Sequence, residues 1–106
     1  MANIYDNNVV SPAVFDYETV AASQTAQVLG GTGATGDRIE RLIISVATAA
    51  TSTVTLLDGS TSIVITAANT PIGVYTVQLG MYSTTGPWKI TTGAGATVIA
   101  IGRFSA

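Results

Sequence analysis

Three groups of residues have types and spacings suited to chemistry. Gly31, Gly33 and Gly36 satisfy G-x-G-x-x-G, and Asp58 follows about 20 residues later, the spacing of a dinucleotide fingerprint. In that motif the glycines turn the chain against a pyrophosphate, a helix N-terminus holds it, and the acid takes a ribose hydroxyl. That chemistry needs a helix after the glycines and further βαβ units. The rest of this chain offers no second crossover helix, and Asp58 sits in an Asp-Gly turn. With four glycines between positions 30 and 36, a turn-rich loop, placed at a subunit contact, is the simpler reading. Asp16 and Glu18, two apart on a strand, share one face as glycosidase carboxylates do; the solvated outer face of an edge strand is preferred. Lys89 sits beside Trp88, where a lysine lays its stem along apolar surface more readily than it activates a serine.

The chain lacks both His and Cys, which removes the commonest general base, the thiol nucleophile, disulfides and thiolate metal sites. No G-x-S-x-G elbow and no D-x-[DN]-x-[DN]-G calcium loop occurs. The expectation is a protein that is not an enzyme, with no cofactor and no metal.

Charge is scarce. Asp, Glu, Lys and Arg make up 9% of the 106 residues, where about 25% is usual in soluble domains. Asp37, Arg38, Glu40 and Arg41 hold four of the ten, and are expected to satisfy one another or a neighbouring subunit. Between Asp58 and Lys89 the only ionisable side chains are the phenols of Tyr75 and Tyr82. A net charge of −2 gives no electrostatic case for nucleic acid or an anionic membrane. Mean hydropathy is +0.47, but no apolar run nears the ~20 residues of a membrane helix. Residues 1–8 carry neither a basic residue nor an apolar run, so no signal peptide is expected. An uncharged β surface is either Thr-rich and solvated or buried against other subunits; scarce Lys favours assembly, since charge normally guards open sheet edges.

The elements that must position these residues are strands. Residues 1–12 form a polar segment ending at Pro12, expected as an extended N-terminal arm, and 13–106 as a single β-sandwich domain. Period-2 alternation or short apolar runs mark strands over 14–20, 25–29, 38–47, 52–57, 62–66, 73–79, 88–92 and 96–104. Asp58-Gly59 predicts a type I′ hairpin, and Gly80 a bend or bulge. Eight short strands at these intervals fit a sandwich or jelly roll. One segment has two readings: Ile39, Leu42, Ile43, Val46, Ala47 and Ala50 also fit a helical stripe. Its β-branched residues favour a strand. Trp88 with Tyr5, Tyr17, Tyr75 and Tyr82 suits core or interface packing, or a sugar-stacking platform.

Several segments resemble short structural proteins encoded among tailed-phage head genes. They are 21–25, 28–37, Leu42-Ile43-Ile44, Leu57-Asp58-Gly59, Leu79-Gly80, 83–94 and 98–102, so the similarity spans roughly residues 20–104. Members with an assigned role are often capsid decoration, or cement, proteins. The resemblance implies a jelly-roll-like antiparallel sandwich that binds the outer surface of the phage head as a homo-oligomer, trimer favoured. Its partners would be its own copies and the major capsid protein, with no nucleic acid and no membrane. No catalytic residues are implied. Val9, Val10, Pro12, Phe15, Arg38, Arg41 and Trp88 are the candidate subunit or capsid contacts. The alternative is a tail, fibre or adsorption module that binds host carbohydrate.

Overall fold

A computed structural model of the chain describes residues 15–49 and 51–106. The expected N-terminal arm therefore lies outside the described residues. Eight strands follow in order: β1 (Asp16–Val20), β2 (Gln27–Val28), β3 (Arg38–Val46), β4 (Val54–Asp58), β5 (Thr61–Thr66), β6 (Gly73–Tyr82), β7 (Trp88–Thr91) and β8 (Ala96–Arg103). Each of the eight expected segments overlaps one of them, with β4 and β5 each reaching one residue and β6 three residues past the expected bounds, and no helix occurs among the described residues.

The pairing is nested. β1 pairs with β8, β2 with β7, β3 with β6 and β4 with β5, all antiparallel, as in one long hairpin folded at the β4–β5 turn. Two further antiparallel pairings, β3 with β8 and β4 with β7, close this ribbon into two four-stranded sheets. Their orders are β1-β8-β3-β6 and β2-β7-β4-β5. Only the β4–β5 connection stays within a sheet; every other one crosses between them. The result is an all-β sandwich.

Its core forms because alternate residues of each strand face the opposite sheet. Val20, Ile39, Leu42, Ile44, Val46, Ala96, Val98 and Ala100 come from the first sheet, and Val54, Leu56, Trp88 and Ile90 from the second. Leu29, just after β2, completes the cluster. Most outward positions of β3 are half-buried, so this central strand is fully covered on one face only.

The helical stripe over 39–50 has a strand explanation. Ile39 pairs with Gly102, but Arg41 pairs with Ile101, so β3 carries one extra residue, Glu40, against β8. Opposite β6 the irregularity falls at Leu79-Gly80, with Gly80 at φ 61°. A bulge puts two consecutive side chains, Glu40 and Arg41, on the outer face and returns Leu42 to the core. The three-residue step from Ile39 to Leu42 imitates a helical period.

The hairpin turn also differs from expectation. Asp58 pairs with Thr61, so Gly59 and Ser60 are the central residues. Gly59 has φ 60° and Ser60 is not among the positive-φ residues, the pattern of a type II′ turn rather than I′.

Trp88, named above among the contact candidates, is 2% exposed and belongs to the core. Its indole Nε1–H donates to the Asp37 carbonyl at 2.7 Å. Its ring is therefore closed to an outside partner. Trp88→Ala should cost about 3–5 kcal/mol, and Trp88→Phe, which keeps a ring but loses the indole donor, distinctly less; urea unfolding of the two variants checks both.

Candidate functional site

The loops at one end of the sandwich hold the polar chemistry. Asp37, at the end of the glycine loop, is a hub. Its carboxylate accepts from Ser105 N (2.9 Å), Ser105 Oγ (2.7 Å) and Ala34 N (3.0 Å). Its carbonyl accepts from Ser83 N at 2.9 Å besides the Trp88 indole. Three glycine amides of the loop are used too. Gly33 N donates to Ser105 O, Gly36 N to Ser83 O, and Gly30 N to Glu18 Oε1. A phosphate cradle needs free N–H groups ahead of a helix. Here the Gly30, Gly33, Ala34 and Gly36 amides already have partners, and the loop leads into strand β3, not into a helix. At Gly30, φ is 90° and a Cβ would stand 2.4 Å from Ser105 O, so the loop needs glycine there to seat the C-terminal residues.

Asp58 is a second acidic hub and, unlike the half-buried Asp37, a buried one, 9% exposed. Its carboxylate accepts from Thr84 N (3.1 and 3.0 Å), Thr84 Oγ1 (2.9 Å) and Thr85 N (3.1 Å), while Thr85 Oγ1 donates to its carbonyl. Burial pushes this carboxyl up, but the amides of Thr85 and Thr84 and then their hydroxyls pull it down further, leaving it below the usual carboxylate value. Glu18 is likewise occupied: Oε2 accepts from Gln27 Nε2 and Oε1 from Gly30 N, both at 2.7 Å. Asp16 and Glu18 pair with the buried Gly102 and Ala100, so they lie on the inner side at the rim of the sandwich, not on its outer face. Glu18 clasps one sheet to the other.

Threonines do the same work at the opposite end. Thr92 Oγ1 donates to Ala21 O at 2.6 Å and accepts from Gln24 N at 3.0 Å, and Thr91 Oγ1 accepts from Ala26 N at 2.9 Å. Thr51, also buried, donates to Ala94 O. Thr51, Thr91 and Thr92 thus satisfy loop backbone, while Thr19, Thr25, Thr32, Thr61 and Thr76 stay exposed on the surface.

Of the contact candidates, Val9, Val10 and Pro12 lie outside the described residues. Phe15, Arg38 and Arg41 fall on the first sheet. The Arg38 guanidinium stands 6.0 Å from the Phe15 ring centre and 5.3 Å from that of Tyr82, both within cation–π range. It also binds Glu40 Oε1 through Nη2 at 2.8 Å and Nε at 3.1 Å. The hydrogen bond to Glu40, and then Tyr82, raises the Arg38 pKa, so the cation persists at any physiological pH. The bulge at Glu40 is what sets Arg38, Glu40 and Arg41 side by side, a placement invisible in their spacing alone. Two clefts flank this cluster. One, of about 510 Å³, is lined by Asp16, Gly36, Asp37, Arg38, Tyr82, Arg103, Phe104 and Ser105. The other, of about 470 Å³, is lined by Phe15, Asp16, Tyr17, Ile99 and Ile101. Tyr17 is 72% exposed. The Phe15, Tyr17, Ile99 and Ile101 part of this outer face is aromatic and aliphatic, and it adjoins the charged residues Arg38, Glu40 and Arg41, a mixture that suits contact with another surface. Among the described residues no three carboxylates converge as a metal site would require.

Comparison with protein-family models, with curated proteins and with solved structures found no match.

Because Asp58 has a depressed pKa, its contribution to stability is complete above the unfolded carboxyl value, about 3.9, and fades as pH falls through the folded value. Asp58→Ala should cost about 2–3 kcal/mol at pH 7 and flatten the loss of stability in acid; denaturant midpoints from pH 7 down to about pH 2 check this. With the Gly30, Gly33 and Gly36 amides already bonded and a strand following the loop, added nucleotides should leave the melting temperature unchanged.

Proposed function

We propose that this protein is a virion structural component, a decoration protein that binds the outside of a tailed-phage capsid as a homo-oligomer and reinforces it. The observation that carries the reading is how the few polar side chains are spent. Asp37, Asp58, Glu18 and the loop threonines hold the fold together, while aromatic and aliphatic side chains lie on the outer face of the first sheet. Such a body has little charge to desolvate when it is pressed against a shell or its own copies. The strand order, β1-β8-β3-β6 over β2-β7-β4-β5, supports a jelly roll, a ribbon of nested pairs wrapped into two sheets. The sequence segments that resemble phage head proteins supply the assembly in question.

The carbohydrate-binding alternative asks for two coplanar exposed rings. Tyr17 and Tyr82 are exposed, but Arg38 stacks on Tyr82, which weakens that reading.

Particles lacking the protein should lose infectivity faster on heating or under chelation than complete particles, and imaging should locate it on the head. Unchanged resistance would remove the cementing role. Binding on a glycan array together with a tail position would favour the alternative.

A further inference from the structure

The sandwich has four edge strands, and three are guarded against pairing with another chain. β2 is only two residues long. β1 is five residues long and carries Asp16 and Glu18 on its inward side. β5 is interrupted by a register shift against β4. Short length, inward-pointing charge and bulges are the usual protections of a sheet edge. β6 has none of them over its first six residues. From Gly73 to Gln78 it pairs in regular register with Arg41–Val46 of β3, and it contains no charged residue and no proline. Among the described residues, no strand pairs with its outer side. The surroundings match: residues 59–88 contain no Asp, Glu, Lys or Arg. Of the five large hydrophobic residues most exposed, Val64, Ile72, Val74 and Tyr82 lie on β5, on β6 or on the link between them.

We infer that β6 is a self-association edge, where two copies of this chain pair antiparallel over Val74–Gln78 across a twofold axis and join their first sheets into one of eight strands. This inference rests on the proposal that the protein is a homo-oligomer, and it names the surface. The sequence of β6 is self-complementary in this arrangement. With the axis at Thr76, each Thr76 faces its own copy, a pairing that allows a cross-strand hydrogen bond. Val74 of one copy lies opposite Gln78 of the other on the outer face. Tyr75 lies opposite Val77 on the inner face, an aromatic–β-branched pair of the kind that stabilises sheets. A twofold contact always sets like opposite like near its axis, which a charged strand resists and this one does not. A foreign strand would fit the backbone equally, but only a second copy supplies that side-chain match at every position.

Thr76 is exposed, so a charge there leaves the fold of one copy intact. Light scattering after gel filtration should give the unmodified protein an even multiple of the 10.8 kDa chain mass. Thr76→Lys and Thr76→Glu should each halve it, with unchanged circular dichroism and unfolding midpoint at low protein concentration. An equimolar mixture of the two should recover the original mass. A three-chain oligomer, or any oligomer that Thr76→Lys leaves intact, would overturn the β6 contact while leaving self-association standing. A single-chain mass for the unmodified protein would overturn both, and would leave the edge for a foreign strand or another segment of the chain.

Discussion

The hydrogen bond from the Trp88 indole to the Asp37 carbonyl is the constraint on which the rest of this sandwich turns. Trp88 is the bulkiest core residue, and its one polar atom needs a partner if the ring is to be buried. Asp37 meets that need with its backbone, which leaves its carboxylate free to hold Ser105 and Ala34. The core, the glycine loop and the C-terminal residues are thereby positioned together. Ser83 joins through the same carbonyl, which brings in the β6–β7 connection.

A chain with so few charges must satisfy its loop backbone by other means. Nearly every connection crosses from one sheet to the other, and each crossing leaves amides and carbonyls outside the ladders. Acids serve at one end, with Asp37 and Asp58 each collecting several donors. Threonine hydroxyls serve at the other. These polar groups are consumed by architecture, while Tyr17, Ile99 and Ile101 face outward on the first sheet.

Where local reasoning and the structure part, the cause is a contact distant in sequence. The stripe from Ile39 to Ala50 has a helical period only because Glu40 bulges, and the bulge is defined by β6 and β8. Asp16 and Glu18 do sit on an edge strand, as their surroundings indicated. They turn to the inner rim because pairing with β8 sends Val20, two and four residues on, into the core opposite Val98, and alternation puts them on the same side. Asp58 looked like the first central residue of its turn, but pairing with Thr61 shifts the turn by one and frees its carboxylate for Thr84 and Thr85. Arg38 and Phe15 were both legible as contact candidates; that they meet was not.

Alternation and turn chemistry are properties of short stretches, so eight strands, an all-β class and the absence of imidazole and thiol chemistry could be read directly from the residues. Which strands pair could not. β1 finds β8 across nearly the whole chain, and a period of two leaves both faces of a strand available until a partner sheet claims one. Pairing decided that Trp88 faces the core, that Glu18 clasps the two sheets and that β6 lies at the end of its sheet among the described residues. Each depends on loop closure between distant residues, which no local pattern records.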